Sequence, residues 1–136
     1  MALSVEDHIA IQQLYARYNH HLDYDRPGEW AACYTENGSF VAPGAIDKIQ
    51  GRAALSAWAS EVIPQFMARH WNNNLVLDGD GNRAHGSCYF FSWQVPPDSP
   101  MRILNNGMYV DELAKVNGEW LFEARVLNLE MPPPSA

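Results

Sequence analysis

The sequence predicts an α+β domain, with helices packed on one face of an antiparallel sheet. Two patterns carry that expectation. Apolar residues recur at helical spacing early in the chain, at Ile11, Leu14, Tyr15, Tyr18 and Leu22. From Ala68 onward, extended segments are joined by Asp78-Gly79-Asp80-Gly81-Asn82 and by Asn117-Gly118, both strong hairpin signals. The length of 136 residues suits one domain, and a chain of this size buries roughly two-thirds of its surface without disulfide or metal support.

Ser4 is a helix cap, and Glu6 and Asp7 sit in the first turn, where the helix dipole favours negative charge. The first helix is therefore expected from Val5 to about Leu22. Arg26-Pro27-Gly28 breaks the pattern, and Glu29 to Tyr34 reads as a short second helix. Gly38 to Ala42 is a short strand stopped by Pro43-Gly44, and Ile46 to Gln50 is another extended piece. Gly51-Arg52 leads into a third helix, Ala53 to Val62, with Leu55, Trp58, Ala59 and Val62 on one face. Pro64 ends or kinks it. Four strands follow: Ala68–Leu77, Arg83–Gln94, Arg102–Val116 and Trp120–Leu129. A loop, Pro96 to Pro100, separates the two hairpins. The domain is expected to span residues 1–131, with residues 132–136 as a Pro-rich tail. A long twisted sheet of this kind curls around a helix and leaves a pocket at its open end.

The net charge of −7, with lysine only at Lys48 and Lys115, gives no basic stripe. Nucleic acid and anionic membrane surfaces are therefore not expected partners. No apolar run approaches the roughly 20 residues that span a bilayer. The first residues lack the features of a signal peptide, so a cytoplasmic location is expected. Cys33 and Cys88 lie in apolar stretches and read as buried free thiols. Aromatic residues, at 12 %, suffice either to fill a core or to line a cavity.

Two segments hold the residues that point to chemistry. Strand alternation puts His70, Asn72, Asn74 and Val76 on one face, and Trp71, Asn73, Leu75 and Leu77 on the other. The first face suits a pocket with a reactive end; an exposed polar edge fits the spacing equally well. Asp23 lies five residues after Tyr18, about 140° around an ideal helix. The two face the same way only if the helix ends between them; otherwise Asp23 reads as a turn carboxylate. His20 and His21 suit the negative end of the helix dipole, and His8 and His85 have no evident partner. Asp23, Asp25, His20 and His21 match no standard metal spacing. There is no nucleophile elbow, P-loop or Gly-x-Gly-x-x-Gly, so no metal or cofactor is expected.

In order and spacing, the chain resembles the SnoaL-like branch of the nuclear transport factor two-like superfamily. The resemblance rests on the run Asp7 to Tyr18, then Leu22-Asp23, Gly51-Arg52, Arg69-His70, Asn74, Asp78-Gly79-Asp80, Gly107 to Asp111, Gly118-Glu119-Trp120 and Arg125. It implies a cone-shaped α+β barrel, three helices packed into a curved antiparallel sheet around a deep pocket. Scytalone dehydratase, hexachlorocyclohexane dehydrochlorinase and bile acid 7α-dehydratase share an Asp–His dyad in such a cone, and Asp23 and His70 match its two positions. Tyr18 matches a tyrosine of the bile acid enzyme, where the dehydrochlorinase has lysine. The second pocket histidine of scytalone dehydratase has no counterpart between Ser87 and Trp93. Arg125 resembles an arginine that reaches the pocket from the last strand.

The resemblance implies a dehydratase-type lyase acting on a small hydrophobic cyclic or polycyclic hydroxy-carbonyl compound. Asp23, His70 and Tyr18 would be catalytic, with Asn74 and Arg125 orienting the substrate. The same dyad would serve an isomerase or an aldol-type cyclase. A non-catalytic binding or assembly module would instead leave Asp23 and His70 apart, or fill the cone with side chains. The resemblance also implies a homo-oligomer, dimer or trimer, formed through the outer sheet face, where Trp71, Leu75, Tyr89 and Phe91 supply apolar surface.

Overall fold

The first helix, α1, runs Val5–Asp23 and lies against a six-stranded sheet. The computed structural model describes residues 2–130, so the expected Pro-rich tail lies outside the described residues. After α1 come α2 (Pro27–Ala31), β1 (Tyr34–Ala42), β2 (Ile46–Gln50), α3 (Arg52–Val62) with a 3-10 turn at Ile63–Gln65, β3 (Ala68–Asp80), β4 (Arg83–Gln94), β5 (Arg102–Val116) and β6 (Glu119–Leu129). The strand order is β2-β1-β6-β5-β4-β3. The fold is therefore α+β with a curved sheet. That sheet is open rather than closed into a barrel, and β2 and β3 are its edges. Not all of it is antiparallel, because β1 runs parallel to β6. Among the described residues no helix is long and apolar enough to cross a membrane.

Ser4 caps α1 as expected. Its hydroxyl accepts the Asp7 N–H at 3.1 Å, and the Asp7 carboxylate accepts the Ser4 N–H at 3.1 Å. Asp7 also accepts Trp120 Nε1 at 2.9 Å and Lys115 Nζ at 3.0 Å, which ties the start of α1 to the β5–β6 hairpin. These bonds, Trp120 first, hold the Asp7 carboxyl well below the usual carboxylate range.

The second helix comes earlier than its composition suggests. Pro27 takes the first helical position, where its missing N–H costs nothing, and the helix ends at Ala31. Tyr34 then opens β1 instead of closing a helix. Gly38 is required in this strand: a Cβ there would come within 2.8 Å of Tyr34 Cβ and 3.0 Å of the Phe122 carbonyl oxygen.

Strand β3 departs from simple alternation. Asn73 pairs with Tyr89 and Val76 with Ser87, so Asn74 and Leu75 together oppose one residue of β4. Asn74 takes φ 56°, a left-handed conformation that asparagine tolerates. This bulge reverses the face pattern. His70 and Asn72 point toward α1, and beyond the bulge Leu75 and Leu77 pack on the core, while Trp71 and Val76 are exposed. Leu75 is therefore not part of the outer apolar surface, whereas Trp71, Phe91 and Trp93 cluster there with ring centroids 5.4–5.9 Å apart.

At the centre, Arg125 of β6 and Asp111 of its cross-strand partner β5 are both fully buried. Arg125 donates to Asp111 through Nε at 2.8 Å and Nη2 at 3.1 Å. The Tyr15 hydroxyl from α1 donates to the same carboxylate. The guanidinium lies 3.5 Å from the Tyr109 ring centre, 4.2 Å from Phe122 and 4.4 Å from Tyr18. Burial pushes the Cys33 thiol up to about 11 and Cys88 to about 12, so both free thiols are unreactive at neutral pH.

Replacing Arg125 by Met leaves Asp111 buried without its cation. Urea unfolding should show a loss of about 3–5 kcal/mol. Asp7→Asn tests the helix cap. Because the folded-state pKa of Asp7 is depressed, its contribution is full above the unfolded value near 3.8 and is lost as pH falls below it. The Tm difference between wild type and Asp7→Asn should be present at pH 7 and shrink below about pH 4.

Candidate active site

The end of α1 meets the start of β3 through one carboxylate. Asp23 Oδ1 accepts the ring Nδ1 of His70, and Asp23 Oδ2 accepts the His70 backbone N–H at 3.0 Å. Both side chains are mostly buried, at 7 % exposure for Asp23 and 14 % for His70. With Nδ1 committed to Asp23, Nε2 is the nitrogen left for another molecule. The ring lies 5.8 Å from that of Phe90.

Neighbouring residues brace this pair. Arg69 donates to the Ala68 carbonyl at 2.9 Å and reaches the Asp23 carbonyl at 3.4 Å, while its guanidinium covers the Tyr24 ring at 4.6 Å. One helical turn before Asp23, Asn19 Nδ2 donates to Asn72 Oδ1 at 2.8 Å. Four helical residues rise about 6 Å and two strand residues about 6.8 Å. Asn19/Asn72 and Asp23/His70 therefore keep step along antiparallel directions.

The dyad opens into a cavity of about 710 Å³ bounded by α1, α3, β2 and the concave sheet face. Its wall is mainly apolar and aromatic, with Leu22, Trp30, Phe40, Trp58 and Phe90 prominent. Tyr18 lines it too, although α1 continues through Asp23. Tyr18 and Leu22 form one stripe of the helix, and Asp23 lies about 100° further round from Leu22. The Tyr18 and Tyr34 hydroxyls are hydrogen bonded at 2.9 Å. Burial raises the Tyr18 pKa, against the pull of Arg125, so the phenol stays protonated and can donate.

The structure thus brings Asp23, His70 and Tyr18 to one cavity. It does not bring Asn74 or Arg125 there. Asn74 is exposed in the β3 bulge, where its left-handed backbone turns it off the His70 face. Arg125 is sealed behind the wall, between Asp111 and the rings of Tyr18 and Tyr109. Sequence spacing missed Ser92, Asn105 and Tyr109, all of which line the cavity. The small-and-apolar alternation Ala84, Gly86, Cys88, Phe90, Ser92 carried a signal for the first of these, since each is buried. His85 does have a partner, Glu112 across the strands at 2.7 Å, and it lies outside the cavity.

Residues 3–126 match the sequence profile of the SnoaL-like domain family. No curated protein matches the chain. Among solved structures, a protein of unknown function from Mycobacterium tuberculosis is 29 % identical, with TM-score 0.89, over 98 % of this chain and 84 % of that one. A candidate scytalone dehydratase from Novosphingobium aromaticivorans is also 29 % identical, with TM-score 0.81, over 93 % of this chain and 86 % of its own. ActVI-ORFA from Streptomyces coelicolor shares the fold at 20 % identity and TM-score 0.81, over 90 % and 97 % of the two chains.

The hydrogen bonding of His70 has a spectroscopic consequence. In ¹⁵N-labelled protein the neutral His70 ring should be protonated at Nδ1, with Nε2 at the shift of an unprotonated nitrogen. A ring protonated at Nε2 would contradict the geometry.

Proposed function

We propose that this chain, which belongs to the SnoaL-like domain family, is a cofactor-independent lyase that removes water from a small hydrophobic cyclic or polycyclic hydroxy-carbonyl compound. The observation that carries the reading is the Asp23–His70 contact at the edge of a largely apolar cavity, with Nε2 uncommitted among the described residues. A vestigial binding module would keep the two residues apart or fill the cone. Here they are in contact, and the cone is empty of side chains over about 710 Å³.

In this reading His70 Nε2 takes the proton from the carbon next to the substrate carbonyl. The C–H electron pair moves into the carbon–carbon bond and the carbonyl becomes an enolate. Tyr18 donates a hydrogen bond to the enolate oxygen. Asp23 holds the imidazole tautomer and stabilises the imidazolium. The enolate then re-forms the carbonyl and expels the β-hydroxyl, which takes the proton from His70 and leaves as water. The base is restored, and no oxidant, reductant or metal enters the balance. The apolar wall excludes bulk water, which strengthens each of these interactions.

Asn74 and Arg125 act differently from direct substrate ligands. Arg125 is a positioning residue: its charge lies 4.4 Å from the Tyr18 ring and favours negative charge near the phenol. Asn74 supports the site through the bulge that turns β3. The exposed Trp71 and Tyr89, with Phe91 and Trp93, form the face through which a homodimer or homotrimer would assemble.

The test is incubation with cyclic β-hydroxy ketones, such as 3-hydroxy-1-tetralone, followed by mass spectrometry. Loss of one water supports the lyase; turnover with unchanged mass would point to an isomerase or cyclase. His70→Ala and Asp23→Asn should each lower kcat/KM by about 10²- to 10⁴-fold, with the thermal transition retained. Near-normal turnover in either variant would remove the dyad from the mechanism.

A further inference from the structure

The mouth of the cavity carries a charge that the dyad does not use. Of the residues that line the cavity, Ala45, Asp47, Lys48 and Phe66 are exposed, so they mark where it meets solvent. Three of them belong to β2 and the turn before it. Strand β2 is irregular there. Ala42 pairs with Ile46 and Phe40 with Ile49, so Val41 is opposed by both Asp47 and Lys48. The extra residue keeps Ile46 and Ile49 packed on the core and sets the two charged residues between them at the rim.

The chain has two lysines, and their settings differ. Lys115 donates to Asp7 at 3.0 Å. Lys48 has no hydrogen bond or ion pair among the described residues, not even with the adjoining Asp47. A lysine lays its apolar stem along a wall and keeps its ammonium in water. Lys48 can therefore line an apolar cavity and still stand exposed at its opening. Its charge rides on a flexible four-carbon stem, whereas Asp47 holds its carboxylate close to the backbone. In a protein of net charge −7, most of the surface repels anions, and a free cation at an apolar opening sets the local sign. Strands β2 and β3 are the two edges of the sheet, so Lys48 and His70 lie at opposite ends of the strand order with the apolar wall between them.

We propose that Lys48 is a specificity-determining residue that holds an anionic group of the ligand, in its simplest form a carboxylate, at the cavity mouth. The ligand class is then amphipathic. Its ring body lies against Trp58 and Phe90, one end meets His70, and the acidic end meets Lys48. Dehydration itself requires no such group, so the charge narrows the substrate class beyond what the reaction does. The inference rests on the lyase reading only for which end faces His70.

The experiment titrates two probes of one shape calorimetrically into the full chain: 6-hydroxy-2-naphthoate and its neutral amide, 6-hydroxy-2-naphthamide. At about 20 mM salt, wild type should bind the acid about fivefold more tightly than the amide, the size of one exposed ion pair. At about 0.5 M salt that preference should largely vanish. Lys48→Met, which keeps an apolar stem, should remove the preference and leave amide affinity within about twofold. Lys48→Arg should keep the preference, and Asp47→Asn, which removes the neighbouring negative charge, should raise it. Equal binding of acid and amide by wild type, a preference that survives in Lys48→Met or in high salt, or a fall in Asp47→Asn would each overturn the assignment. Neither probe can lose water, so a failure here leaves the dyad standing. An inactive dyad likewise leaves the charge preference measurable.

Discussion

The arrangement of this molecule depends on a charge pair at its centre. Asp111 and Arg125 face each other across β5 and β6 with no exposed surface. Two charges taken out of water are tolerated only when geometry and hydrogen bonding compensate them. Asp111 is satisfied by two donors of Arg125 and by the Tyr15 hydroxyl, and the faces of Tyr15, Tyr18, Tyr109 and Phe122 surround the guanidinium. A one-residue slip of either strand would strand both charges, so the pair holds the β5–β6 register. Through Tyr15 it also holds α1 at one height on the sheet. Everything further along α1 is measured from that point. Asn19 meets Asn72 about one turn later, and Asp23 meets His70 one turn after that. The distant pair and the dyad are thus ends of one ladder.

The aromatic residues serve two purposes that compete for the same volume. Tyr15, Tyr34 and Phe122 fill the core, whereas Trp58 lines space that is left open. Tyr18, Trp30 and Tyr109 do both: their rings pack against the core, and they also bound the cavity. An empty apolar cavity is a stability cost, since its lining forfeits dispersion contacts. The cone is maintained because rigid rings held on both sides cannot collapse into it. The same rings carry Arg125 behind them, so the positive charge acts on the cavity through Tyr18 and Tyr109 without entering it.

Much of the fold was legible because local chemistry and global structure agree. Ser4 and Asp7 announce α1, Asn117-Gly118 announces the last hairpin, and β4 and β5 fall where alternation puts them. The Asp23–His70 pairing came from the family pattern; periodicity alone left Asp23 as a turn residue. The residues that the structure sets outside the cavity have separate causes. Asn74 was assigned by strict alternation, which a bulge breaks, and no residue type announces that bulge. Arg125 was assigned to the pocket because it resembles an arginine that reaches the pocket from the last strand in the family. Its partner Asp111 lies 14 positions earlier, and only strand register brings them together.

The bulge in β3 is what makes one edge strand serve both the site and the core. Before it, the inward face is polar: His70 and Asn72 are met by Asp23 and Asn19 of the helix. After it, the inward face is apolar, and Leu75 and Leu77 pack on the core cluster. Without the extra residue, alternation would turn Asn74 and Val76 inward and put Leu75 and Leu77 in solvent. The chain could satisfy the dyad or the core, but not both, on a regular strand. A bulge also bends the strand and increases its local twist. The left-handed Asn74 is therefore a structural requirement of the Asp23–His70 contact, although its side chain lies outside the cavity. Substituting Asn74 by a β-branched residue should disturb the dyad through the backbone rather than through any lost substrate contact, because such residues resist positive φ.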